Sequence, residues 1–140
     1  MKAFTQEKIS LTKITFSDNE ETFEGLYLPT DSPRGLVVFI HGHNTFGAWE
    51  LLFQSQRLLK EGYAVFLPSQ AGFGGSRAKK DYCGPRTVAA VEKLFEHLLA
   101  ENTELESLPV QVWGISRGAT IAAKLAVGKQ AWAEVVGCDV

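Results

Sequence analysis

Five consecutive residues, Gly114-Ile115-Ser116-Arg117-Gly118, combine a hydroxyl able to attack a carbonyl with the glycines needed to expose it. They stand between a β-prone run, Pro109-Val110-Gln111-Val112-Trp113, and a small-residue stretch, Ala119-Thr120-Ile121-Ala122-Ala123-Lys124-Leu125-Ala126, with no breaker before Gly128. Gly-x-Ser-x-Gly at a strand-to-helix junction describes a turn so tight that the serine is held in a strained backbone conformation. A Cβ at either glycine would collide with the neighbouring strand or helix. The chemistry would be nucleophilic acyl transfer. The bland alternative is a glycine-bounded turn whose serine only caps the next helix, since five-residue patterns also arise by chance. The β-prone run before it and the breaker-free helix after it favour the nucleophile.

A serine nucleophile needs a base, a group that orients the base, and donors for the developing oxyanion. The N–H of Arg117 opens the helix and is the natural first donor. The second should come from the loop His41-Gly42-His43-Asn44, which follows an apolar strand. No histidine follows Ser116. Of the three present, His97 falls off the apolar stripe of a helix and reads as a surface residue. His41 ends a buried strand and reads as hydrogen-bonded to loop backbone. His43 is the one imidazole with a place facing Ser116, although a loop that presents amides usually turns its side chains elsewhere.

The elements that must position these groups follow from periodicity. Residues 9–16 and 22–28 read as two strands joined by the polar turn Ser17-Asp18-Asn19-Glu20, forming an antiparallel hairpin. Gly35-Leu36-Val37-Val38-Phe39-Ile40 is apolar throughout, as in a strand covered on both faces of a parallel sheet. Helical spacing over 49–61, with Gly62 as its stop, precedes another buried strand over 63–67. The clearest helix spans 86–101, with Val88, Val91, Leu94, Phe95, Leu98 and Leu99 on one stripe. A last strand is expected over 133–138. The fold class is therefore α/β, a mostly parallel sheet with an N-terminal antiparallel hairpin and helices on both faces. Ligands in such sheets bind beyond the carboxyl ends of the strands. The elbow, the His41–Asn44 loop and the glycine-rich loop after Leu67 all lie there.

The 140 residues form a single domain that buries roughly two-thirds of its unfolded surface. A net charge of −2 offers no basic face, so nucleic acid is not an expected partner. No apolar run reaches membrane-spanning length, and the N-terminus lacks the apolar core of a signal peptide. Cys83 and Cys138 lack any ligand or redox spacing and read as free thiols, which suits the cytoplasm. Neither metal nor cofactor is expected. Gly72-x-Gly74-Gly75 is not a dinucleotide fingerprint, because its third glycine would fall at Arg77. Lys79-Lys80 reads as a solvated loop, and Trp113 as core rather than a substrate platform.

Together the motifs resemble the α/β-hydrolase superfamily over essentially the whole chain, and within it the dienelactone-hydrolase and prolyl-oligopeptidase-like branch. The residues that carry this are Leu36-Val37-Val38-Phe39-Ile40-His41-Gly42, Gly72-Phe73-Gly74-Gly75-Ser76, Asp81-Tyr82-Cys83-Gly84-Pro85 and the elbow, in family order. The resemblance implies a serine hydrolase acting on a carboxylic ester or related acyl bond, with Ser116 catalytic. It implies the main-chain N–H groups of His43 and Arg117 as oxyanion donors, and a structural role for His41. Where many members carry an Asp and an Arg before the glycine-rich loop, this chain has Ser69 and Ala71. The family's acid and histidine follow later strands, whereas this chain stops near its sixth. Asp139 sits where a few members place the acid, and no residue can take the histidine position. Weak or no activity is therefore expected of this chain alone, and a non-catalytic hydrolase-like binding module is the alternative. The last strand would be an open sheet edge inviting a second copy.

Overall fold

The computed structural model describes residues 9–128 and 134–138. Six strands form one sheet in the order β1-β2-β4-β3-β5-β6. They are β1 Thr12–Asp18, β2 Glu21–Leu28, β3 Gly35–Ile40, β4 Tyr63–Pro68, β5 Val110–Ile115 and β6 Glu134–Cys138. β1 pairs antiparallel with β2, and β2 antiparallel with β4, while β3 runs parallel to both β4 and β5 and β5 parallel to β6. The expected hairpin is present. Its first strand begins later and runs farther than apolar periodicity predicts, because the polar Ser17 and Asp18 are drawn into the ladder opposite Thr22 and Glu21. Asn19, with a φ of 55°, makes the reversal, a conformation asparagine tolerates better than most residues.

Three helices follow the strands: α1 Leu52–Lys60, α2 Pro85–Glu101 and α3 Arg117–Gly128. The single helix expected over 49–61 is a 3-10 turn, Gly47–Leu51, leading into α1. Two side chains hold it, Glu50 from within the turn and Ser69 from just beyond the end of β4. The Glu50 carboxylate accepts from the N–H groups of Thr45 and Phe46, and Ser69 Oγ accepts from Ala48 N–H at 2.9 Å.

The sheet separates two apolar layers. On one face Leu36, Val38, Ile40 and Phe66 pack with Val91, Leu94 and Leu98 of α2 and with Ile121, Ala122 and Leu125 of α3. On the other, Val37, Phe39, Val65 and Leu67 pack with Ala48, Leu51 and Leu58. All six residues of β3 are buried, as a central strand between two helical layers requires. Because β4 and β5 flank β3 on opposite sides, the chain reverses its direction of travel across the sheet at β3, and the carboxyl end of that strand is the switch point where sheets of this kind form their ligand crevice.

Candidate active site

Ser116 joins β5 to α3 and has a φ of 55°, in the left-handed region that L-residues adopt only at a cost. The neighbouring glycines explain why the turn can be so tight. A Cβ on Gly114 would run into the backbone of Gly118 and Ala119, and one on Gly118 would lie 2.6 Å from the carbonyl oxygen of His41. A side chain on Gly42 would meet the Ile115 carbonyl oxygen at 2.9 Å and Ser116 Cβ at 3.2 Å. The loop after β3 thus passes directly against the serine. This follows from the pairing of Ile40 with Gly114, which ends both strands at the same level. Arg117 opens α3, so its N–H is one of the first-turn donors without an intrahelical acceptor. The N–H of His43 has no acceptor among the described residues either.

His41 is fully buried and both ring nitrogens are engaged. Its Nδ1–H donates to the Gly42 carbonyl at 2.6 Å, and Nε2 accepts from Gln70 N–H at 3.0 Å. The Gln70 side-chain amide also donates to the His41 carbonyl. Burial pushes this imidazole below its ordinary range, against the opposing pull of the Gly42 hydrogen bond. It is a neutral strut between two loops, as its place in the sequence suggested. The His43 side chain is exposed and packs edge-on against Phe73, with ring centres 5.6 Å apart. His97 lies flat on Phe16 at 5.8 Å, beside a groove of about 600 Å³ between the hairpin and α2. Among the described residues no side chain hydrogen-bonds to Ser116. Asp139 lies outside the described residues.

Other residues around the crevice carry less local signal. Ser69, where many family members have an acid, uses its hydroxyl to accept the Ala48 N–H, so a neutral hydrogen bond ties the two loops together. Ser76 Oγ donates to the Ser69 carbonyl at 2.8 Å and accepts from Glu24 N–H at 3.0 Å, anchoring the glycine-rich loop to β2. Asp81 accepts from Arg86 N–H at 2.8 Å and Thr87 N–H at 3.0 Å, capping α2 from three residues before its N-cap. Trp113 points away from the crevice into the α1 layer, edge-on to Phe39 and donating to Gln111 Oε1 at 3.1 Å. No group of three or more His, Cys, Asp or Glu residues suited to a metal occurs among the described residues.

A parallel-centred sheet with this strand order, helices on both faces and a serine at a strained strand-to-helix turn defines the α/β-hydrolase class. Residues 31–138 match the Hydrolase_4 family, described as serine aminopeptidase, S33, and the chain belongs to that family. Its structure is similar to esterase Pf2001 of Pyrococcus furiosus, with 24% identity and a TM-score of 0.71 over 91% of this chain and 49% of that one. A soluble variant of the Saccharomyces cerevisiae monoglyceride lipase gives 24% identity and 0.73, covering 94% of this chain and 44% of the lipase. The thermostable carboxyl esterase of Bacillus coagulans gives 17% identity and 0.76, covering 94% and 44%. The chain thus spans about half the length of these solved structures. No curated protein matches it in sequence.

Proposed function

We propose that the chain carries the nucleophile half of a serine hydrolase that acts on carboxylic esters or related acyl bonds. The observation that carries this reading is the φ of 55° at Ser116, held by glycines 114 and 118 while the His41–Asn44 loop presses against it. Strain of this kind persists only where the surroundings over-determine it, and it raises the hydroxyl above the crevice. Ser116 Oγ attacks the substrate carbonyl. The main-chain N–H groups of Arg117 and His43 receive the oxyanion, and an imidazole other than His41, His43 and His97, the only histidines in this sequence, takes the proton. His41 is excluded as that base because both its nitrogens are occupied. His43 is set aside because its exposed side chain makes no hydrogen bond to Ser116 among the described residues and packs instead edge-on against Phe73.

Ester substrates are favoured because the similar solved structures include two esterases and a lipase. The glycine-rich loop and the Asp81–Pro85 segment support placing the chain near the dienelactone-hydrolase and prolyl-oligopeptidase-like branch. A reducing cytoplasm suits Cys83, a free buried thiol, and no described helix is long and apolar enough to cross a membrane.

A fluorophosphonate probe tests the reading, because it reports an activated serine without requiring turnover. Slow labelling at Ser116, abolished in Ser116→Ala, is expected because no base is seated beside the hydroxyl, with hydrolysis of activated esters also slow. Absence of labelling would favour a hydrolase-like module that only binds ligands in the same crevice. Fast hydrolysis would overturn the expectation of weak activity.

A further inference from the structure

Arg117 follows the candidate nucleophile directly, and its guanidinium lies over the Tyr82 ring, 5.0 Å from the ring centre. No carboxylate pairs with it among the described residues. The ring beneath it is built into place. Tyr82 and Cys83 hold φ values of 48° and 73°, so with Ser116 three of the five non-glycine residues at positive φ among the described residues gather at this one site. Both sides of the loop are fastened. Asp81 is locked onto the start of α2, while Lys124 Nζ donates to the Cys83 carbonyl at 2.6 Å and Cys83 Sγ–H to the Arg117 carbonyl at 3.4 Å. Tyr82 is nonetheless 55% exposed, so the platform is held open to solvent.

The surrounding charges point the same way. Lys80, two residues before Tyr82, sets its ammonium 4.7 Å from the centre of the Phe73 ring, which also contacts His41 and His43. The carboxylates of the flanking loops are spent on main-chain N–H groups: Asp81 on Arg86 and Thr87, Glu50 on Thr45 and Phe46. A chain with a net charge of −2 therefore presents a crevice rim whose cations rest on aromatic faces instead of acids. A guanidinium on an aromatic face keeps its planar fork free for a bidentate oxyanion.

We propose that Arg117, carried on Tyr82, is the receptor for an anionic group of the substrate, so that the preferred acyl compounds are half-esters or other esters bearing a carboxylate or phosphate near the scissile bond. The proposal rests on Ser116 being the nucleophile only for the placement of that bond, since the anion site itself is read from charge and geometry. The test compares binding of monomethyl succinate and dimethyl succinate to the Ser116→Ala chain by titration calorimetry. The half-ester should bind about tenfold more tightly, the size expected of one charge-assisted contact. That advantage should shrink in high salt, fall towards one in Arg117→Gln and persist in part in Arg117→Lys, which keeps charge but loses the fork.

An Arg117→Gln chain that merely unfolds would lose both ligands, whereas loss of the charged one alone is the result expected. If that variant unfolds, the salt dependence in the Ser116→Ala chain decides. A ratio near one before any change at Arg117, no measurable half-ester binding, or a ratio unchanged in Arg117→Gln overturns the proposal. A fall seen with Lys80→Gln and not with Arg117→Gln overturns the assignment to Arg117. Failure of fluorophosphonate labelling would instead strike at the hydrolase reading and leave the binding ratio intact.

Discussion

At Ser116 the backbone bears a conformation that an L-residue resists by about 1–2 kcal/mol and a glycine does not. Alanine at this position keeps the Cβ and the strain, while glycine removes both at some loss of entropy. We expect Ser116→Gly to be more stable than Ser116→Ala by about 1 kcal/mol in urea denaturation, with neither variant labelled by the probe. Equal stabilities would mean that the turn is not strained. His41 supplies a second residue-scale test. The unfolded imidazole titrates near its ordinary value of 6.5, while the buried one is pushed lower. Above pH 6.5 both states are neutral and the folded chain has its full stability. Below it the unfolded state takes up a proton that the folded state refuses, so stability falls until the folded pKa is passed. Denaturation midpoints from pH 7.5 to 5.5 should fall, and the slope should flatten in His41→Gln. An unchanged slope in that variant would place the effect elsewhere.

Among the elements, α2 shows how a crevice loop and a helix start share one side chain. Its N-cap residue, Gly84, has no side chain to offer, and Pro85 at the first position needs no hydrogen bond. Asp81 reaches across to the N–H groups of Arg86 and Thr87 and so also fixes the Tyr82-Cys83 bend between them. Asp81→Ala should cost about 1–2 kcal/mol, the usual range for a lost cap, and should loosen the loop as well. Hydrogen exchange is expected to quicken in both the first turn of α2 and residues 81–84. A loss confined to the helix would separate the two roles. Neither the Asp81 cap nor the Ser69–Ala48 bond is visible in periodicity, because each joins groups brought together only by folding. The 3-10 turn before α1 was hidden in part for the same reason: Trp49 to Leu51 satisfy a helical pattern, and the Ser69 hydroxyl that holds Ala48 N–H comes from a distant part of the chain.

For the molecule as a whole, β6 is the outermost strand on one side of the described sheet, and its neighbour β5 leads directly into Ser116. We propose that this edge recruits a strand from a second copy, since unpaired ladder groups invite pairing. Sedimentation at rising concentration should reveal a species heavier than the monomer, and a monomer throughout would overturn the idea. Strand and helix order was legible along the chain, because apolar periodicity and glycine or proline punctuation act over a few residues. Gly114 to Gly118 also declared its tight turn locally, through residue types that a strand-to-helix reversal needs. The rest awaited the order β4-β3-β5, which brings loops from separate parts of the chain to one crevice. Only there does His41 become a buried strut, Ser69 a bridge between loops, and Arg117 a cation resting on an aromatic ring. Hydrogen bonds and charge compensation depend on distance through space, and distance through space is what a linear sequence does not display.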